Sequence, residues 1–289
     1  MALISLEGAV DLHVHTYPCL IPRLCDDQGA AAAAAEAGMA AIVLKCHHES
    51  TVSRAAWASR AVPEIKGFGG IVLNSYVGGF NPAAAEAALR LGAKEVWMPT
   101  IDAANHARVY GSRGKYDVQT SGKEETEGGL TVFRGEDLAP EVKEILALIA
   151  QYDAILGTCH LSPEEIFALV KAARDVGVRR ILITHPFFRV PGLQVGQIKA
   201  LTEMGAMAEF GYCTVSPMWA YVRVEQVLEA LREVGPQRAV LMSDAGQRHN
   251  PMPPESLRVF AQCLHEKGLP EADIRRLIVE NPRSLLGLD

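Results

Sequence analysis

This chain is short of several things, and each shortage narrows what it can be. Its six cysteines, Cys19, Cys25, Cys46, Cys159, Cys213 and Cys263, are scattered, and none forms C-x-x-C. In a chain of this length that points to reduced thiols in a cytosol rather than a disulfide framework. No apolar run approaches the roughly 18 residues of a membrane span. Met1 to Gly8 holds no basic region followed by a long apolar one, so no signal peptide is expected. Positive charge is in deficit, with 28 Lys and Arg against 34 Asp and Glu, a net charge of -6. There is therefore no basic footprint for nucleic acid. The expected setting is cytoplasmic, with a small-molecule substrate and neither nucleic acid nor membrane as partner.

What the chain does have is apolar sequence, 49% of its 289 residues, enough for a sizeable core. Much of it falls in short runs separated by helix-like segments. Strands are expected at Asp11–Thr16, Ala40–Lys45, Gly69–Asn74, Glu95–Thr100, Ala154–His160, Arg180–His185, Ala206–Phe210 and Ala239–Asp244. Between them lie helix signals: an alanine-rich tract from Gly29 to Ala37 that Asp26 or Asp27 can cap, Thr51–Ala61, Pro82–Leu91, Pro140–Tyr152, a segment opened by the capping box Ser162-Pro163-Glu164-Glu165, Gln194–Met204, and Trp219–Val234. Two further helices are expected near Pro254–Lys267 and Glu271–Glu280. Eight alternations at a pitch of roughly 36 residues predict an α/β fold, a (β/α)8 TIM barrel spanning residues 1–289 as a single domain, with an inserted loop, Ile101–Glu136, after strand four. An open doubly wound sheet would want a Gly-rich nucleotide loop after the first strand, and Thr16-Tyr17-Pro18 stands there instead.

The most informative stretch is Asp11-Leu12-His13-Val14-His15-Thr16. On a strand, alternation puts His13 and His15 on one side, with Asp11 beside them. Two neutral imidazoles at a strand end can grip one divalent metal. Three other apolar runs also end in metal-capable groups, at Cys159-His160, His185 and Asp244. In a barrel, C-terminal strand ends converge on one face, so His13, His15, His160, His185 and Asp244 are expected to meet.

With that pattern the sequence resembles the amidohydrolase superfamily of metal-dependent hydrolases. That family carries H-x-H after strand one, a His after each of strands five and six, and an Asp after strand eight. The ending Asn281-Pro282-Arg283-Ser284-Leu285-Leu286-Gly287-Leu288 is also similar to its closing helix. The resemblance implies a divalent metal, zinc first with manganese, iron or nickel as alternatives, one or two per chain, held by His13, His15, His160, His185 and Asp244. It also implies self-association, which members often show. Asp244 would move the proton of an activated water, and His185 would polarise the substrate. Two-metal members bring a bridging Glu or carboxylated Lys, often from strand four. Strand four here ends Trp97-Met98-Pro99-Thr100, and Lys45 is the nearest substitute.

Other residues are expected around this face. A strand continuing past Lys45 would send Lys45 and His47 one way and His48 the other. Glu209 is expected as a rim or supporting carboxylate, and Arg189 and Arg248 as cations for a substrate carboxylate or phosphate. Within the insertion, His106, Arg108, Arg113, Lys115 and Tyr116 are further lid groups, with Gly111, Gly114 and Gly122 permitting motion. Hydrolysis of an amide, ester or lactone is the leading expectation. A single-metal decarboxylase of the same superfamily and a non-catalytic metal-containing barrel that binds a metabolite are alternatives. The opening motif and His47-His48 also resemble PHP-type phosphoesterases, although His249 is displaced from the D-x-H with which those usually finish.

Overall fold

The expected strands form and pair in chain order. In the computed structural model, which describes residues 3–114 and 128–288, they are β1 (Val10–His15), β2 (Ala41–Lys45), β3 (Lys66–Val72), β4 (Glu95–Trp97), β5 (Ile155–Gly157), β6 (Arg180–Thr184), β7 (Met207–Gly211) and β8 (Ala239–Met242). All neighbours are parallel in one eight-stranded sheet. Its edges meet where Val14 bridges Ala245, just beyond β8, and the His15 amide donates to the Ala245 carbonyl at 2.8 Å. This is the (β/α)8 barrel. One large apolar cluster lies between strands and helices. A second, including Val10, Val43, Trp97, Leu182 and Val240, is drawn from the strands and from Leu285 and Leu286 of the last helix.

The helices follow the caps. Asp26 accepts the Gly29 amide at 2.7 Å and opens α1 (Asp27–Glu36). Helices α2 (Val52–Ala61) and α3 (Pro82–Arg90) follow β2 and β3. The insertion after β4 is less irregular than expected, because residues Ala104–Tyr110 form a helix, α4, and Phe133–Arg134 pairs with Asp137–Leu138. Lys115, Tyr116 and Gly122 lie outside the described residues. After α5 (Pro140–Gln151), the expected capping box forms at α6 (Pro163–Asp175). Its Glu165 also accepts the Val132 amide at 3.1 Å and ties the insertion to the barrel.

Two boundaries differ. Strand β3 begins at Lys66, earlier than the expected Gly69, and takes in Gly67 as well as Gly69 and Gly70. A Cβ on Gly70 would stand 2.2 Å from the Glu95 carbonyl oxygen, so only glycine fits. The helix expected from Trp219 begins at Val224 instead, as α8 (Val224–Val234), after α7 (Val195–Glu203) and β7. Ala220 has a left-handed backbone (φ 45°), and Trp219 and Tyr221 turn onto Phe188, with ring centroids 5.6 and 5.1 Å away. The chain ends in α9 (Pro253–Glu266), α10 (Glu271–Arg275), a π-helical turn and α11 (Asn281–Leu286). Among the described residues, no helix is long and apolar enough to cross a membrane.

Candidate metal centre

The C-terminal strand ends open into a cavity. His13, His15, Lys45, His160, His185 and Asp244 all line it, as does His47. Three of these strand ends carry an unusual backbone. Cys159 (φ 49°), His185 (φ 34°) and Asp244 (φ 47°) all occupy the left-handed region, which non-glycine residues enter at a cost. At these turns His185, Asp244 and His160, which follows Cys159, reach the cavity, while Cys159 itself does not line it.

Only some of the expected residues come within ligand range of one another. His13, His15 and Asp244 each offer an atom, and the three atoms lie within 4.8 Å of each other. His160 and His185 line the same cavity but stand outside that group. Their rings are 5.1 Å apart, and His185 is 5.8 Å from His13. Asp11 does not line the cavity. The pairing of β1 with β2 slips by one residue between Asp11 and Val14, a bulge that breaks the alternation on which its expected position depended. Its Oδ1 accepts the amides of His13 and Ser243, both at 3.1 Å, and so holds the end of β8 against β1.

The protonation pattern around His15 is informative. Its Nδ1 lies 3.1 Å from the Lys45 carbonyl oxygen, which can only accept, so Nδ1 carries the proton. Arg23 Nη2 stands 3.3 Å from the same nitrogen. A neutral ring cannot also accept there, and the shorter contact to a buried carbonyl prevails. Nε2 is then a bare lone pair, and it faces Asp244 Oδ1 at 3.1 Å. His13 Nε2 is 3.3 Å from the same oxygen and makes no aligned hydrogen bond. Acceptors this close repel unless a positive charge lies between them. A cation bonded to nitrogen and oxygen at about 2.0–2.2 Å would set its ligand atoms about 2.9–3.4 Å apart, which matches. The donor set therefore fits a divalent metal.

Electrostatics point the same way. Burial, reinforced by the Lys45 charge, holds His13, His15, His47, His160 and His185 well below the ordinary imidazole value. Neutral rings have no proton for a metal to displace. Burial pushes Asp244 up to about 6, against the lowering influence of Lys45 and of the Cys213 thiol. That thiol donates to Asp244 Oδ2 at 2.9 Å, leaving Oδ1 for the histidine pair.

The remaining expectations sort by where the side chains fall. Lys45 is buried, with Nζ 3.4 Å from Cys159 Sγ and 5.1 Å from the Trp97 ring. His48 points away from the cavity while Lys45 and His47 line it, the division expected of a continuing strand, although β2 ends at Lys45 and residues 47–49 are a bend. Glu209 is not on the rim. It is fully buried behind His13, with Oε2 3.8 Å from Nδ1, and burial raises it to about 8. Arg189 and Arg248 are exposed and do not line the cavity, and Arg189 lies over the Tyr110 ring. The arginine that does line it is Arg23, buried with Nε lacking a hydrogen-bond partner among the described residues. Nothing in its Pro- and Cys-containing loop signalled that. His106 is also more than a lid group. Carried inward by α4, it places Nδ1 2.8 Å from His160 Nδ1 and stacks on that ring. Cys213 carried only one faint signal, its place two residues past a strand end.

Comparison with known proteins adds the following. A family of unknown function (DUF6282) matches residues 8–209. No curated protein matches the chain. Among solved structures it is similar to a 2,6-dihydroxybenzoate decarboxylase from Rhizobium, with a TM-score of 0.61 and 15% identity over 98% of this chain and 99% of that one. It is also similar to an amidohydrolase from Pseudomonas aeruginosa, at TM-score 0.59 and 12% identity over 97% and 95% of the two chains. An organophosphorus hydrolase from Deinococcus radiodurans has a TM-score of 0.59 and 14% identity over 99% and 94%. At such identities these neighbours share the fold, which is the barrel implied by the amidohydrolase resemblance.

Proposed function

The chain belongs to DUF6282, a family without an assigned function, so its chemistry has to be argued from the site, and we propose that it is a metal-dependent hydrolase acting on a small anionic amide, ester or lactone. The observation that carries this reading is the bare His15 Nε2 facing Asp244 Oδ1 at 3.1 Å, with His13 Nε2 beside it. These three residues would hold one divalent cation, zinc first and manganese, iron or nickel as alternatives. When bound, such a cation supplies Lewis acidity, bringing the pKa of water from near 16 to roughly 7. Asp244 accepts the attacking water's proton and returns it to the leaving group. Cys213 fixes the carboxylate by holding Oδ2. His160 and His185, both neutral, offer N–H groups to the substrate oxygen on which charge develops. Arg23 binds the substrate's anionic group, and Phe188 and Trp219 cover its apolar part.

A second reading has support from the same features. Arg23 beside an aromatic wall would also hold a carboxylated ring for decarboxylation, and one structural neighbour is a decarboxylase. The test is turnover by the zinc-loaded chain on lactones, esters and amides bearing a carboxylate, and on carboxylated phenols, with carbon dioxide followed in parallel. Hydrolysis that stops with a chelator and returns with zinc supports the proposal. Carbon dioxide release without hydrolysis would replace it with the decarboxylase, and tight metal binding without any turnover would leave a metabolite-binding barrel.

A further inference from the structure

A second cluster of metal-capable side chains lies outside the cavity and takes no part in the proposed hydrolysis. Cys19, from the loop after β1, meets Cys46 and His48, from the loop after β2. Their donor atoms lie within 4.8 Å of one another. His48 Nδ1 stands 3.7 Å from Cys19 Sγ and 3.9 Å from Cys46 Sγ. A tetrahedral zinc ion with ordinary zinc–sulfur and zinc–nitrogen bonds would set sulfur and nitrogen about 3.6 Å apart. The cluster is thus within a few tenths of an ångström of that arrangement as it stands.

The position of the three donors is fixed by other contacts. Arg54, on α2, donates to the Pro18 carbonyl at 2.9 Å and to Glu49 at 2.7 Å. One guanidinium thereby ties the segment carrying Cys19 to the segment carrying Cys46 and His48. It also donates to Asp27 at 2.7 and 2.9 Å, which anchors it to α1. Tyr76 packs edge-on against the His48 ring, with centroids 4.6 Å apart. His48 Nε2 is buried with no hydrogen-bond partner among the described residues, so Nδ1, between the two sulfurs, is the nitrogen with a role to fill.

We propose that Cys19, Cys46 and His48 form a second metal site, distinct from the His13–His15–Asp244 centre, that binds zinc through two thiolates and one imidazole. Thiolate donors select zinc over the hard cations magnesium and calcium. Each thiol gives up its proton to solvent on binding, so two thiolates neutralise the dication. No fourth His, Cys, Asp or Glu completes the group among the described residues. Cys19 and His48 are partly exposed, so water can take the fourth position.

The test uses the whole chain, reduced, stripped with a chelator and loaded with cobalt(II), which gives a near-ultraviolet sulfur-to-metal charge-transfer band only where thiolate is a ligand. The expected result is such a band in the wild type and in His15→Ala. It should disappear in Cys19→Ser and Cys46→Ser, with metal content falling by one equivalent. A cobalt-loaded wild type without the band, or a band surviving in the double serine variant, overturns the proposal. Should the serine variants fail to fold, the wild type suffices. Alkylation followed by peptide mass spectrometry should show Cys19 protected by zinc, and equal labelling of Cys19 with and without zinc overturns the proposal equally.

Discussion

The two clusters sit on opposite sides of one short segment. Lys45 and His47 point into the cavity, whereas Cys46 and His48 turn outward to Cys19. The strand end at Lys45 and the bend that follows it therefore divide four consecutive residues between two sites. The inner cluster is deeply buried and has nitrogen and oxygen donors, two on strand β1 and one, Asp244, on a left-handed turn. The outer one is partly exposed at Cys19 and His48, contains two sulfurs, and is built on loops that one arginine ties together. Burial holds the inner histidines neutral, the form in which an imidazole can ligate a metal. The outer set lacks that seclusion and is suited to holding an ion or to binding at the surface.

The sharpest way to break this comparison is to remove one inner donor and watch both clusters. Asp244→Asn takes away the shared anion and the proton acceptor. Turnover should fall by about 10²–10⁴-fold, the usual contribution of a positioned general base. The outer cluster's sulfur band should persist. Simultaneous loss of both would mean that the clusters are one structural unit. Cys213→Ala comes next. It leaves every proposed ligand in place and removes the thiol that holds Asp244 Oδ2. A drop of about 10–100-fold in metal affinity or activity is expected, as for other groups that orient ligands from behind. Cys213→Ser, which restores a donor, should recover part of it. An alanine variant with wild-type metal affinity and turnover would remove Cys213 from the site.

These two residues also show what was legible in the sequence. Asp244 could be found because an apolar run ends at it, and strand ends of a barrel share a face. The same logic located His13, His15, His160 and His185. Cys213 could not, because its importance depends on where a loop folds back after β7. Arg23 and His106 were obscured in the same way, one in a loop and one on a helix inside the insertion. Asp11 was misplaced because a one-residue slip in β1 pairing leaves no mark in the sequence. The outer cluster was illegible as a unit, since Cys19 lies 29 residues before His48 along the chain and the loops that bring them together are tied by Arg54. Periodicity reports which face a strand residue takes, but it is silent on loops.

A smaller effect separates the clusters by pH. Asp244 is pushed up to about 6 in the metal-free protein, whereas the inner histidines sit well below 6.5 and stay neutral across the same range. As pH falls through about 6, Asp244 takes up a proton and loses the negative charge that the proposed metal would use. Below that point each pH unit should weaken zinc binding at the inner cluster about tenfold, one proton being displaced per metal. Calorimetric titration of zinc into the Cys19→Ser, Cys46→Ser double variant, between pH 5 and pH 7.5, isolates this site. A break near 6 with a slope of one proton is the expected result. A steeper slope would mean that histidines are also titrating and that burial does not hold them neutral.

The three arginines near the barrel mouth give the finest contrast, since sequence order favoured the two that do not line the cavity. Arg189 and Arg248 follow β6 and β8, where active-site loops usually begin, yet both are exposed and neither lines the cavity. Arg23 lines it, buried, with Nε lacking a hydrogen-bond partner among the described residues. A guanidinium in that position gains most from a substrate anion, because water has already been excluded around it. Arg23→Met should therefore raise KM for an anionic substrate roughly tenfold, the low end of what a hydrogen bond to a charged group contributes. It should leave kcat closer to wild type, since the contact is made equally in the bound and reacting states. Arg189→Met and Arg248→Met should leave KM within about twofold, as expected when a surface charge is screened by solvent. Should Arg189→Met instead raise KM while Arg23→Met does not, the substrate's anion must extend out of the cavity into the groove beside Tyr110 and Phe188, and its length would have to be reconsidered accordingly.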